Sequence, residues 1–140
     1  MERHFITHTS EETIELGRQF SKQLPNGAVV ILNGDLGVGK TTFVRGVAQG
    51  LNIKDVVQSP TFNIMKVYFK ADRPLIHIDA YRLADNNVDI GLDEYIGYES
   101  GITIIEWPQF ISELIPENRI SITISRINET ERDILVEGEF

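Results

Sequence analysis

Residues 34–42 read Gly-Asp-Leu-Gly-Val-Gly-Lys-Thr-Thr. Gly34, Gly39, Lys40 and Thr41 match the phosphate-binding loop pattern: glycine, four further residues, glycine, lysine, then serine or threonine. A polyphosphate needs several backbone N–H groups that converge on its oxygens, and a turn that is rich in glycine can wrap it that closely. We therefore predict a triphosphate site here, with Lys40 supplying positive charge and Thr41 a hydroxyl ligand for Mg²⁺.

The residues on either side of this loop have the periodicity that such a site requires. Residues 28–32 are a short apolar run rich in β-branched side chains, which predicts a buried parallel strand that enters the loop. After the loop, apolar side chains recur at helical spacing up to Gly50, namely Phe43, Val44, Val47 and Ala48. The helix N-terminus would add its dipole and free N–H groups to the site. The alternative, a glycine-rich turn with a solvated lysine, requires the loop spacing and both flanking patterns to coincide.

Length and composition narrow the class of protein. A chain of 140 residues predicts one domain, residues 1–140, with a real core and no room for a second substrate domain. The absence of cysteine excludes disulfides, thiolate metal sites and a cysteine nucleophile. The first residues lack a signal-peptide core, and no apolar run approaches the roughly 20 residues of a membrane span. We expect a cytoplasmic protein that does not contact membranes.

The charge balance bears on the choice of partner. The chain has 13 basic and 21 acidic residues, for a formal net charge of −8, and the basic residues form no run. Proteins that bind nucleic acid alone usually present a basic face, because neutralising phosphates supplies most of the affinity. Unaided binding to nucleic acid is therefore not expected, unless folding gathers a local basic patch.

The N-terminal segment predicts a strand followed by a capped helix. Phe5 and Ile6 suggest a strand within residues 3–8, and Thr9 with Glu12 three residues later makes a capping box. The helix should stop at Pro25-Asn26-Gly27. Ser10, at the start of this helix, has two interpretations: a residue of the helix cap, which the pattern favours, and a contact close to the nucleotide base.

Two apolar strands each deliver a carboxylate. Residues 74–78 lead into Asp79, and residues 102–105 lead into Glu106. Ligands of parallel α/β sheets bind at the carboxyl ends of the strands. A Mg–nucleotide site needs one acid near the metal, and hydrolysis benefits from an acid that orients the attacking water. We predict Lys40, Asp79 and Glu106 as catalytic residues; the pattern does not say which acid has which task, and either alone could cap a turn.

Thr61 lies in a polar loop before a strand predicted at residues 64–69. It could face the γ-phosphate and Mg²⁺ as a switch residue, or its hydroxyl could bond its own turn. His77 alternates with apolar neighbours, which predicts packing or contact with one polar group. The histidines at positions 4, 8 and 77 lack metal-ligand spacing.

The C-terminal part predicts a short helix and two closing strands. Pro108 suits the first turn of a helix that extends to Leu114. Alternating apolar residues in 120–124 and 134–136 predict two strands with a turn near residues 128–130. Together these elements predict an α/β class: a single-domain phosphate-loop NTPase with a mostly parallel central sheet flanked by helices and antiparallel strands toward the C-terminus. The order of the strands is not predicted.

Five motifs in order resemble a known family. They are GDLGVGKTTFVRG at 34–46, SPTF at 59–62, HIDAYRL at 77–83, GLDEYIG at 91–97 and IEWP at 105–108. This series, which spans nearly the whole chain, resembles the bacterial TsaE family. These are small ATPases required to make threonylcarbamoyladenosine beside the anticodon of tRNA.

The resemblance implies roles for individual residues. The ATP phosphates would be contacted by Gly37, Val38, Gly39, Lys40, Thr41 and Thr42, with Lys40 on the β- and γ-phosphates. Thr41 and Glu106 would serve Mg²⁺. Asp79 would be the second acid, and Thr61 and Trp107 would belong to the switch. Arg132 matches a C-terminal arginine near the nucleotide, although a surface charge fits it equally. Val38 replaces an alanine that is common in the family, at a position where the loop uses the backbone.

The resemblance also implies partners and a reaction. The chain would be a Mg-dependent ATPase, slow alone and faster with partners, which drives or resets a transferase complex. Those partners are the threonylcarbamoyl transferase and its actin-like-fold companion, of the TsaD and TsaB families, and tRNA would be met only through them. The main rival is a small-molecule or nucleotide kinase, which needs an arginine-bearing lid and an acceptor pocket. A GTPase is a weaker rival, because the sequence contains no Asn-Lys-x-Asp tetrad for guanine. A third rival is a nucleotide-gated binding module without useful turnover. Lys40→Ala should lose phosphate affinity without unfolding, since Lys40 is expected to be exposed.

Overall fold

A computed structural model describes residues 2–35, 37–55, 57, 64–69, 72–81, 83 and 91–138. Within these residues lie seven strands and two α-helices: β1 (Glu2–Thr7), α1 (Ser10–Gln23), β2 (Val29–Asn33), α2 (Lys40–Gly50), β3 (Met65–Tyr68), β4 (Leu75–Asp79), β5 (Ile102–Glu106), β6 (Ile120–Arg126) and β7 (Arg132–Glu137). Two 3₁₀ helices, Leu92–Glu94 and Pro108–Leu114, flank β5. The predicted strands and helices are present, with ends that differ by one or two residues.

The strands form one mixed sheet in the order β1-β7-β6-β2-β5-β4-β3. At its centre β2 pairs in parallel with both β5 and β6, and β4 pairs in parallel with β5. The pairs β3–β4, β6–β7 and β1–β7 are antiparallel. The predicted α/β class, with a parallel centre and antiparallel C-terminal strands, is confirmed. Since the carboxyl ends of β2, β4 and β5 meet at one edge, the segments that follow them converge there.

The two α-helices pack together and form one core with the sheet. Val30 and Leu32 of β2 belong to this core, whereas Val29 belongs to a second cluster with Ile111 of the later 3₁₀ helix. This division follows from the two-residue period of a strand, which sends alternate side chains to opposite faces. The helices approach so closely that a Cβ on Gly46 would lie 2.1 Å from the carbonyl oxygen of Ile14.

Helix α1 is held at both ends. Thr9 is the N-cap, and its side chain accepts a hydrogen bond from the backbone of Glu12 (3.2 Å). The carboxylate of Glu12 in turn accepts from the backbone of His8, one residue earlier than in a standard capping box. At the other end, Arg73 donates to the carbonyl oxygens of Leu24 (2.5 Å) and Ser21 (2.6 Å). The predicted capped helix is therefore confirmed.

The structure differs from the prediction for the helix after Pro108, and it does not describe the loop that contains Thr61. The short helix predicted after Pro108 is a 3₁₀ helix that is interrupted at Ile111, where φ is −136° and ψ is 34°. The loop with Thr61 lies outside the described residues. Among the described helices, none has the length and apolar character needed to span a membrane.

Candidate active site

The glycine loop leads directly into α2. Gly37 and Gly39 have φ values of 75° and 115°, in the left-handed region that disfavours side chains. The carbonyl oxygen of Gly39 accepts from the backbone N–H of Phe43 (3.0 Å), so Gly39 caps a helix that begins at Lys40. The first N–H groups of a helix have no partner within it, and here they belong to the loop and the first turn. The described backbone therefore has the features that an anion site requires.

Lys40 is buried between the loop and the end of β5. Its side chain is 6% exposed, and its Nζ lies 3.9 Å from Oε1 of Glu106. The same Nζ lies 4.1 Å from the centroid of the Trp107 ring. Burial lowers the pKa of Lys40, while the carboxylates of Glu106, Asp79 and Asp35 oppose that shift. The expectation of an exposed lysine is wrong, because this first residue of α2 lies against the carboxyl edge of the sheet and is covered by an indole ring.

Asp79 and Glu106 are neighbours across the two parallel strands. They are register partners at the carboxyl ends of β4 and β5, and each is 3% exposed. Oδ1 of Asp79 accepts from the backbone N–H of Tyr81 (3.0 Å). Oε2 of Glu106 lies 2.6 Å from Nε2 of His77. The structure thus brings together both acids and Lys40, while their roles stay predictions.

Trp107 both packs and borders the site. Its backbone is left-handed, with φ 56° and ψ 53°, which is unusual for a residue with a large side chain. Its ring contacts Tyr81 (centroids 5.0 Å apart) and Phe110 (6.4 Å). Because backbone strain of this kind persists only where the surroundings impose it, the aromatic contacts account for the position of the indole over Lys40. Tyr81 and Phe110 were not predicted from the sequence; their only signal is an aromatic side chain two residues after Asp79 and three residues after Trp107.

Two cavities flank the glycine loop. One, of about 330 Å³, lies between the start of α1, the loop and the β6–β7 turn; its lining includes Thr9, Ser10, Val38, Gly39, Thr42, Thr130 and Arg132. The other, of about 200 Å³, lies on the Lys40 side; its lining includes Asn33, Asp35, Lys40, Trp107 and Gln109. The loop separates them, and a nucleotide whose phosphates lie on the loop could place its base in the larger cavity.

The larger cavity is also lined by the two predicted nucleotide contacts that lie outside the glycine loop, Ser10 and Arg132. Ser10 lies at its rim beside the capping residue Thr9, and its hydroxyl donates to Glu11 (3.4 Å). Arg132 donates from Nε to the carbonyl oxygen of Val38 (2.7 Å), so it contacts the loop itself. Thr130 of the β6–β7 turn was missed, since turn composition gives no sign that a turn faces a ligand.

The metal prediction rests on the chemistry of the side chains. The described residues include no group of three or more His, Cys, Asp or Glu side chains placed to hold a metal ion. Mg²⁺ at nucleotide sites usually takes one or two protein oxygens and completes its octahedron with phosphates and waters. Thr41 at the start of α2 and Glu106 at the end of β5 supply that type of oxygen. These residues fit Mg²⁺ bound together with a nucleotide rather than a preformed protein cage.

The sequence of this chain was compared with known protein families and with individual proteins. Residues 7–134 match the family model described as "Threonylcarbamoyl adenosine biosynthesis protein TsaE". The chain belongs to the TsaE family. Among relatives of this TsaE chain, the protein named tRNA threonylcarbamoyladenosine biosynthesis protein TsaE from Bacillus subtilis is 43% identical over 128 residues, which cover 91% of this chain and 80% of the relative. The protein of the same name from Treponema pallidum is 35% identical over 133 residues, covering 94% and 97% of the two chains.

A solved structure agrees with the fold of this TsaE chain. The crystal structure of Bacillus subtilis YdiB superposes with a TM-score of 0.83 at 35% identity, and the match covers 97% of this chain and 84% of that one. The resemblance stated from the five motifs is therefore confirmed.

Proposed function

We propose that this TsaE-family chain binds and hydrolyses Mg·ATP, and that this reaction supports the formation of threonylcarbamoyladenosine in tRNA. The observation that carries the proposal is the placement of Lys40, at the end of the glycine loop, 3.9 Å from Glu106, which is in register with Asp79. A positive charge and two carboxylates at the carboxyl edge of a parallel sheet are the groups that phosphoryl transfer to water requires. The family assignment supplies the biological context.

The two cavities suggest how ATP would lie. The larger cavity has room for a base and ribose beside Ser10 and Arg132. The triphosphate would follow the loop from Val38 to Thr42, where the backbone N–H groups that open α2 have no partner within the helix. Its γ-phosphate would reach Lys40 and the smaller cavity. In this arrangement the adenosine and the reacting phosphate lie on opposite sides of the loop.

The reaction transfers the γ-phosphoryl group to water. The oxygen of water forms a bond to the γ-phosphorus while the bond from that phosphorus to the β–γ bridging oxygen breaks, which yields ADP and phosphate. Either Asp79 or Glu106 orients the water, and Lys40 stabilises negative charge on the phosphate oxygens. Bound Mg²⁺ would supply further charge neutralisation through Thr41 and a carboxylate. Burial strengthens these interactions because the local dielectric constant is lower than that of water.

Partners of the TsaD and TsaB families would hold the tRNA. A formal net charge of −8 on this chain disfavours direct binding of tRNA, whose backbone carries one negative charge per nucleotide. Hydrolysis here would therefore drive or reset the transferase complex, and turnover by this chain alone would be slow. A kinase would instead transfer the phosphoryl group to an acceptor other than water.

Reconstitution tests the proposal. Modification of tRNA is measured with the purified transferase and its companion, with and without this chain, while phosphate release is followed as the partner concentration is raised. We expect modification to depend on the chain and on ATP, and phosphate release to increase with the partners. Unchanged phosphate release at every partner concentration would contradict the partner-dependent ATPase, and label from γ-labelled ATP on an acceptor would indicate a kinase. If Glu106→Ala abolishes hydrolysis while ATP-dependent partner binding and modification both survive, the chain is a nucleotide-gated binding module.

A further inference from the structure

We propose that His77 is a positioning residue that fixes the carboxylate of Glu106, so that one oxygen is anchored in the sheet and the other faces the phosphate loop. The inference rests on the proposed function, because it concerns the same site. His77 lies in the middle of β4, two residues before Asp79, and its ring would not itself touch the nucleotide.

The two oxygens of Glu106 have different neighbours. Oε2 lies 2.6 Å from Nε2 of His77, a short hydrogen-bond distance. Oε1 lies 3.9 Å from Nζ of Lys40, on the side of the glycine loop. Both contacts are made inside the protein, since the side chains of His77, Glu106 and Lys40 are 0%, 4% and 6% exposed. With one oxygen held by a stiff ring, the carboxylate keeps a single orientation toward the loop.

The surroundings of His77 indicate which ring nitrogen carries the proton that is donated to Glu106. Its Nδ1 is buried and has no hydrogen-bond partner among the described residues. An N–H at Nδ1 would be a buried donor without an acceptor, which costs more than a bare nitrogen acceptor. The geometry therefore favours a proton on Nε2, which donates to Oε2 of Glu106. Such a partner behind a site carboxylate typically changes activity or metal affinity 10–100-fold when it is removed.

A double-mutant cycle tests whether His77 acts through Glu106. Wild type, His77→Leu, Glu106→Gln and the double variant are compared for kcat and KM with Mg·ATP. At a Mg²⁺ concentration that half-saturates the wild type, we expect His77→Leu to lower the apparent kcat about 10–100-fold, because the carboxylate that it orients would serve Mg²⁺. The double variant should be no slower than Glu106→Gln alone, because the two residues act as one unit. Independent, multiplying losses would overturn the proposal, as would an unchanged kcat in His77→Leu.

Two further variants separate positioning from packing. His77→Gln places an amide N–H near the position of Nε2 and should restore most of kcat. His4→Leu makes the same change at an exposed histidine of β1 and should leave kcat unchanged. If His77 only fills space in the core, His77→Leu will lower the unfolding temperature while kcat below that temperature stays at the wild-type value, and this outcome would refute the inference.

Two measurements do not depend on turnover. Calorimetry compares the affinity for ATP with and without Mg²⁺; we expect the difference to shrink both in His77→Leu and in Glu106→Gln. In ¹⁵N-resolved NMR of the nucleotide-free protein, His77 should be protonated at Nε2 and bare at Nδ1, and the Nε2 proton should shift in Glu106→Gln. A proton on Nδ1 with none on Nε2 would overturn the inference even if the ATPase is real. An Nε2–H tautomer in a protein that neither binds nor hydrolyses ATP would refute the proposed function and leave the anchoring of Glu106 standing.

Discussion

The side chain of Arg132 is bonded to the backbone of Val38, through a hydrogen bond of 2.7 Å from Nε to the carbonyl oxygen. The same guanidinium donates from Nη1 to the carbonyl oxygens of Asn128 (2.8 Å) and Glu131 (2.9 Å). One side chain therefore joins the glycine loop to the β6–β7 turn. These two segments line the larger cavity, so Arg132 fixes the distance between its walls.

We predict that Arg132→Ala lowers the affinity for Mg·ATP by about 10-fold, equivalent to about 1.4 kcal/mol, close to the lower end of what is expected when a hydrogen bond from a charged group is lost. Calorimetry measures the change. Arg126→Ala is the matched control, because Arg126 is the register partner of Arg132 and is exposed at the end of β6. Equal affinities for the two variants would show that Arg132 is only a surface charge.

Lys40→Met should separate binding from stability. The variant loses the charge that would meet the phosphates, so we expect Mg·ATP affinity to fall at least about 100-fold, as for the loss of a buried charged contact of 3 kcal/mol or more. Folding should not suffer, because burial already lowers the pKa of Lys40 and so disfavours its charged form. We expect the nucleotide-free variant to unfold at the wild-type temperature or above it. Lys54→Met, at an exposed position, is the control and should change neither quantity.

The stability difference between wild type and Lys40→Met should depend on pH. The pKa of Lys40 is lower in the folded chain than its ordinary value of 10.5. Between these two values the unfolded chain binds more protons than the folded one, so wild-type stability rises with pH. The advantage of Lys40→Met should therefore shrink as pH rises through that window toward 10.5. Thermal unfolding of both proteins across the alkaline range measures it, and an advantage that grows with pH would contradict the sign.

A comparison of Asp79→Asn with Glu106→Gln should show which carboxylate serves Mg²⁺ and which orients the attacking water. Substitution of the acid that serves the metal should raise the Mg²⁺ concentration needed for half-maximal hydrolysis. Substitution of the acid that orients water should instead lower kcat about 100-fold at saturating Mg²⁺, as is usual for general acid–base groups. Since the resemblance implies that Glu106 serves Mg²⁺, we expect the shift in Mg²⁺ dependence in Glu106→Gln. Phosphate release is measured over a Mg²⁺ titration for each variant. Equal and negligible effects would refute both roles.

Local patterns predicted the parts of this molecule that neighbouring residues determine. The spacing from Gly34 to Thr41 identified the loop, and the apolar runs in β2 and β5 identified the buried strands. The position of Asp79 and Glu106 at strand ends was enough to expect them at one edge, because parallel strands align their carboxyl ends. The capping box at Thr9 depends on residues three positions apart.

Contacts between distant residues were not accessible in this way. The hydrogen bond from Arg132 to Val38 joins residues 94 positions apart, and it depends on a strand order that periodicity does not give. The pairing of His77 with Glu106 requires the register of β4 on β5. Lys40 was expected to be exposed because the pattern describes the backbone of the loop and says nothing of the indole that covers it. Thr61, which lies outside the described residues, stays a predicted switch residue.

Gly46→Ala tests the helix pair on which the loop rests. In an exposed helix this change would stabilise by about 0.5–1 kcal/mol. Here the added Cβ would lie 2.1 Å from the carbonyl oxygen of Ile14, so α1 and α2 must move apart, and overpacking of this kind costs about 1–3 kcal/mol. We expect the cost to exceed the gain and the midpoint of urea unfolding to fall. Gln49→Ala, at an exposed position of α2, should leave the midpoint nearly unchanged. A midpoint for Gly46→Ala at or above the wild-type value would show that the helices are not packed as closely as described, and the position of the loop on α2 would then need revision.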